Sequence, residues 1–147
     1  MSIQLDIFYE DLFEGHEINT NEFSSFYLSY MGDALYELWC RQKILQRFKN
    51  RKLVHNFVVQ LVRCQTQAQI ITIILPYLTS EEKKIYFQGR NGKVISAPKH
   101  ATVKDYRKAS GFECLVGYLF IKKETKRFEQ LMNKSEVEKH IESLLIE

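Results

Sequence analysis

Residues 30–39 read Tyr30-Met31-Gly32-Asp33-Ala34-Leu35-Tyr36-Glu37-Leu38-Trp39, and this nearly apolar run decides the fold. Tyr27, Met31, Ala34 and Leu38 recur at spacings of three and four, the period of a helix that turns one stripe toward a core. The spacing predicts a helix capped by Asn21 or Ser24 and running to about Phe48, with Arg41 and Lys43 toward the end where positive charge suits the helix dipole.

Working outward, Leu53, Phe57, Leu61, Cys64, Ala68, Ile71 and Leu75 continue the same spacing, which predicts a second helix from about Arg51 to Tyr77, ended by Pro76. Thr79 or Ser80 followed by Glu81 and Glu82 opens a third helix to about Gln88, with Gly89 placed to stop it. The stretch from Arg90 to Thr102 reads as a long, polar, basic loop. Further helices are expected over about 104–122 and 124–132. A last one carries Val137, Ile141, Leu144 and Leu145 and is opened by Ser135 with Glu138 as a capping box. Six helices, with only 6 Gly and 2 Pro to punctuate them, exclude a sandwich or barrel; the fold class is all-α. At 147 residues the chain suits one core, organised as an acidic segment over 1–20 and a single domain over 21–147.

With 45% hydrophobic and 27% charged residues the composition is that of a folded globule. No apolar run approaches the ~20 residues that cross a bilayer, so no membrane partner is expected. The first 20 residues hold no Lys or Arg, the wrong chemistry for a signal or transit peptide, and the expected compartment is cytoplasmic, or the stroma of a plastid. Cys40, Cys64 and Cys114 lie far apart without a CxxC pair, which suits free thiols in a reducing compartment.

The net charge of +3 conceals a segregation: residues 1–37 carry eight acids and no Lys or Arg, while residues 38–108 carry fifteen Lys or Arg against three acids. Such a basic middle predicts a polyanionic partner, or else an acidic N-terminal segment folded over it. Gly89-Arg90-Asn91-Gly92-Lys93 has the wrong spacing for a phosphate loop, and Val94 stands where the hydroxyl residue would be needed. His16, His55, His100 and His140 have no metal-ligand spacing, and the aromatics interleave as core residues do.

Asp33 interrupts the first apolar run, and Glu113 interrupts a second, Gly111-Phe112-Glu113-Cys114-Leu115-Val116-Gly117-Tyr118-Leu119-Phe120. Glu113 shares a stripe with Ala109, Phe112, Val116 and Phe120, so it faces inward or onto a cleft wall. A carboxylate there needs a proton, a basic partner such as Arg107 or Lys108, or a metal ion. Gly32, Gly111 and Gly117 permit close helix crossing, which could bring Asp33 and Glu113 together around a hard cation such as Mg²⁺. Glu37 could support that site or face Arg41 at i,i+4.

Tyr30-Met31-Gly32-Asp33-Ala34 and Gly111-Phe112-Glu113-Cys114-Leu115 resemble the two signature helices of ribonuclease III catalytic domains, most of all those of the mini-ribonuclease III group. Gly89-Arg90-Asn91, the basic loop to Lys99, and Tyr106-Arg107 fit the same pattern, and the resemblance covers roughly residues 20–122. It implies an all-helical homodimeric endoribonuclease that uses Mg²⁺, or Mn²⁺ in its place, to cut double-stranded RNA, leaving 5′-phosphate and 3′-hydroxyl ends. It further implies precursor ribosomal RNA of the large subunit as substrate, and Asp33 and Glu113 as metal ligands. Ser29 and Ser110 stand where full-length ribonuclease III enzymes have further acids, a departure shared with the mini group that leaves the number of metal ions open. Too few residues follow the fourth helix for a double-stranded-RNA-binding domain, so RNA contacts are expected from Arg90, Asn91, Lys93, Lys99, Arg107 and Lys108 across the minor groove. The alternatives are a non-catalytic duplex-RNA-binding or ribosome-associated protein that keeps the fold, and a helical adaptor whose buried acids are salt-bridged.

Overall fold

The computed structural model describes residues 24–92 and 99–146, and among them the secondary structure is entirely helical, as expected. Seven α-helices follow in order: α1 (Ser25–Leu45), α2 (Arg51–Val62), α3 (Cys64–Ile74), α4 (Ser80–Arg90), α5 (Val103–Ile121), α6 (Thr125–Met132) and α7 (Ser135–Leu144), with a 3₁₀ turn at Leu75–Tyr77. No single helix among the described residues is long and apolar enough to cross a membrane.

Helix α5 is the hub, and α1, α4 and α3 all pack on it. Every residue from Cys114 to Ile121 is buried, so this half of α5 is apolar all round, the mark of a helix enclosed by its neighbours. The closest approaches are made at glycines. A Cβ on Gly32 would stand 1.7 Å from the Glu113 carbonyl oxygen, and one on Gly117 would stand 2.1 Å from that of Leu28, so α1 and α5 touch backbone to backbone. Gly111 is pressed in the same way against Tyr86 of α4.

Four local expectations are corrected. The buried stripe of α1 is Leu28, Gly32, Tyr36, Cys40 and Ile44, one or two positions away from Tyr27, Met31, Ala34 and Leu38. Leu38 is in fact 41% exposed, because the glycine contact with α5 sets which side of α1 faces inward. The helix expected over 51–77 is two helices bent by 55°, broken at Arg63, whose ψ of 154° is extended. Side chains just past the break hold it: Thr66 Oγ1 donates to the Gln60 carbonyl (2.6 Å) and Gln67 Nε2 to that of Val62 (2.8 Å), satisfying acceptors left open at the end of α2. Gly89 does not stop α4 but lies inside it, buried against Gly111 and Cys114, and Asn91 is the C-cap. Ser135 is the first residue of α7 rather than its cap; Lys134 holds that position and makes no side-chain capping bond.

The caps at Ser24 and Thr79 are as expected, the latter completed as a capping box by Glu82. The other capping candidate for α1, Asn21, and the acidic segment over 1–20 lie outside the described residues. Cys40, Cys64 and Cys114 are free thiols.

Candidate active site

The Gly32 contact with the Glu113 backbone places the next residue of α1, Asp33, beside the Glu113 side chain. The two carboxyl groups are hydrogen-bonded to each other. Burial pushes the Glu113 carboxyl up to about 8, reinforced by the negative charge of Asp33 and by its hydrogen bond to Asp33. Burial also raises Asp33, as does repulsion from Glu37, while the bond from Glu113 pulls the other way. Both carboxyls are thus biased toward holding a proton, and the pair titrates as a unit.

Both acids line a cavity of about 560 Å³. Ser25 and Ser29 of α1 and Ser110 of α5 add hydroxyls to its lining, together with Gly89 and Gly92 at the end of α4 and the rings of Phe26, Tyr30 and Tyr106. Phe26 and Tyr30 are each 71% exposed, with ring centroids 5.5 Å apart. Cys114 also lines the cavity, its thiol donating to the Ser25 carbonyl at 3.1 Å, and burial pushes that thiol up to about 12, so it is not a nucleophile.

The basic partner left open for these acids, Arg107 or Lys108, forms no salt bridge to either of them. Ion pairs among the described residues are Arg41 with Glu37, Arg47 with Glu142, and Arg127 with Glu82; neither cavity acid has a cation. Arg107 does line the cavity, whereas the Lys108 ammonium donates to Thr72 Oγ1 of α3 at 3.1 Å and is no lining residue. Glu37 takes the surface role, accepting from Arg41 at 3.0 Å.

Two adjacent carboxylates without a cation, both raised chiefly by burial, suit a divalent ion that neutralises both. No group of three or more His, Cys, Asp or Glu side chains gathers among the described residues. The pair thus fits a hard cation that takes one or two carboxylates and keeps its waters, better than one that needs a full protein cage. Ser29 and Ser110 supply hydroxyls at the wall but no further charge.

Of the remaining expected RNA contacts, Arg90 is exposed with its guanidinium 5.2 Å from the Phe87 ring centroid, Asn91 is exposed at the end of α4, and Lys99 is exposed. Lys93 lies outside the described residues. His100 is anchored by its carbonyl, which accepts from Gln65 Nε2 of α3 at 3.0 Å, so the chain leading into α5 is tied at the α2–α3 break. Sequence reasoning missed the aromatic rim at Phe26 and Tyr30. Their i,i+4 spacing just before Asp33 was a usable sign, but it reads equally as core.

A helical domain with acids from two glycine-packed helices facing one cavity is the form of the ribonuclease III class, and the family model described as Ribonuclease III domain matches residues 27–124. The chain is 38% identical over 107 residues to the Mini-ribonuclease 3 of Clostridium tetani, covering 71% of each chain. It is 36% identical over 127 residues to that of a Thermoanaerobacter species, covering 83% of this chain and 89% of that one. A crystal structure of a Fusobacterium nucleatum protein superposes with a TM-score of 0.73 at 26% identity, over 80% of this chain and 94% of that one. The chain belongs to the mini-ribonuclease III family and is an endoribonuclease. Enzymes of the ribonuclease III family act on double-stranded RNA and generally depend on a divalent metal ion.

Proposed function

We propose that this chain is a Mg²⁺-dependent nuclease that cuts both strands of duplex RNA as a homodimer, with precursor ribosomal RNA of the large subunit as substrate. The observation that carries the reading is the cation-free pair Asp33 and Glu113 in one cavity. Asp33 and Glu113 would hold the ion, with Mn²⁺ able to replace Mg²⁺. When bound, such an ion lowers the pKa of a coordinated water and stabilises charge on a phosphodiester.

The protein's own groups do the rest. A proton held by the metal-free pair must leave before both acids can ligate, so affinity for the ion rises with pH. Arg107 on the cavity wall is placed to pair with a non-bridging phosphate oxygen. Arg90, Asn91, Lys93 and Lys99 meet the flanking phosphates, reading A-form shape and 2′-hydroxyls rather than sequence. Ser29 and Ser110 orient water at the wall, and Glu37 adds negative charge near Asp33. The exposed ridge of α1, with Phe26, Tyr30, Leu38 and Leu45 each at least 41% exposed, supports a second copy as the partner that covers it. The products carry 5′-phosphate and 3′-hydroxyl ends.

The test incubates pure protein with long duplex RNA and Mg²⁺, beside Asp33→Asn and Glu113→Gln. Cleavage by the wild type and none by either variant, with duplex binding kept, is the expected result. Binding without cleavage in all three would leave the non-catalytic RNA-binding reading in its place.

A further inference from the structure

No carboxylate occurs between Leu38 and Ser80, and apart from Arg63 at the α2–α3 break, exposed and also without an ion pair to a described residue, the fold sorts the cations of this stretch into two kinds. Arg41 pairs with Glu37, Arg47 pairs with Glu142, and the Lys43 ammonium lies 5.3 Å from the Trp39 ring centroid. Lys49, Arg51 and Lys52 are different. They fall within four consecutive positions across the turn from α1 to α2, all are exposed, and none makes an ion pair with a described residue. The Lys49 ammonium reaches only the Leu45 carbonyl, at 3.4 Å.

Among the described residues nothing local offsets these three charges. The first turn of α2 contains no acid, and the dipoles of that helix add positive potential of their own at this end. The turn is polar as well as basic, with Asn50, His55 and Asn56 also exposed. Phe48 and Leu53, which flank these cations, pack against the core, unlike the apolar residues of a helix that inserts into lipid. The cluster lines no part of the carboxylate cavity. Leu45 lies twelve positions after Asp33 on α1, about 18 Å at ~1.5 Å per residue, so the turn stands roughly 20 Å from the acids along the helix.

We propose that the α1–α2 turn is a second RNA-binding surface, which grips the phosphate backbone of a long duplex beyond the stretch seated over the carboxylates. The proposal rests on the reading of the cavity as a duplex-cutting site and adds a preference for length. A spacing of roughly 20 Å spans on the order of seven base-pair steps of an A-form duplex, whose rise is shorter than the ~3.4 Å of B-form DNA, so a short duplex fills the cavity without reaching the turn. Three phosphate contacts made there carry no sequence information but add affinity and salt dependence.

The test compares the full chain with a Lys49→Gln, Arg51→Gln, Lys52→Gln variant on two blunt duplexes, one just long enough to cover the cavity and one several times longer. The variant is expected to bind the long duplex about tenfold more weakly at low salt, with the slope of log K against log salt reduced by about 2 to 3. Its affinity for the short duplex and its single-turnover cleavage of it stay unchanged, and its circular dichroism melt matches the wild type. Equal loss on both lengths, or no loss on either, overturns the proposal. So does weakened binding to phosphatidylserine vesicles with RNA binding intact, which would make the turn a membrane contact. If the wild type shows the length effect but cuts neither duplex, the reading of the carboxylates fails and this surface stands.

Discussion

Two carboxylates inside this helical fold have met opposite fates. Glu82, 3% exposed, accepts from Arg127 Nε and Nη2, each at 2.9 Å, and from the Thr79 amide at 2.8 Å. Burial works against its charge, but Arg127 and Thr79 outweigh it and hold Glu82 below the usual carboxylate range. Glu113 is also largely enclosed, yet its neighbour is another acid, and it is raised to about 8. The first arrangement completes a structural charge pair that ties α4 to α6. The second leaves negative charge uncompensated in a cavity, and uncompensated charge is what a ligand can use.

That contrast can be broken from either side. Glu113→Gln should lower the rate of duplex cleavage by about a thousandfold while leaving the denaturant midpoint equal or higher, since it removes an acid whose ionisation the fold does not compensate. Arg127→Met should do the reverse. It strands Glu82 without its cation and should cost about 3–5 kcal/mol in urea unfolding, with cleavage per folded molecule intact. Loss of activity without loss of stability in the Arg127 variant would erase the distinction.

Gly32→Ala sharpens the comparison geometrically. The added methyl would collide with the Glu113 carbonyl oxygen, so α1 and α5 must separate at the carboxylates. The expected cost is about 1–3 kcal/mol in unfolding, together with a fall in cleavage that extra Mg²⁺ restores only in part. The smallest effect is on pH dependence. Glu113, raised from 4.5 to about 8, contributes stability that is complete below about 4.5 and is lost as pH climbs through about 8. Glu82 is lowered, so its contribution is present above 4.5 and disappears as pH falls through its folded value. Melting temperatures of the metal-free protein should therefore decline between about pH 5 and pH 8 in the wild type, and Glu113→Gln should flatten that decline.

Most of the helical layout was legible because caps and apolar spacing are local. Ser24 and Thr79 start helices by side-chain bonds that their own neighbours complete. The carboxylate pair was legible for a related reason: an acid within an apolar run violates the local pattern, and two such acids beside glycines imply a shared cause. What could not be read depends on residues distant in sequence. The face of α1 that turns inward is chosen by backbone contact with α5, not by its weakly amphipathic side chains. The break at Arg63 has no Pro or Gly to announce it, and Thr66 and Gln67, which stabilise it, are ordinary helix residues until the turn exists. Glu82 read as a helix-start residue, and its pairing with Arg127, forty-five positions away, left no mark in either segment.

The central claim is that Asp33 and Glu113 form an uncompensated pair awaiting a divalent ion. Carbon-13 NMR titration of the Glu113 carboxyl, with and without Mg²⁺, addresses it without reference to RNA or turnover. The account predicts an apparent pKa of about 8 in the metal-free protein, falling steeply once Mg²⁺ is added. An ordinary glutamate titration that Mg²⁺ leaves unmoved would contradict it.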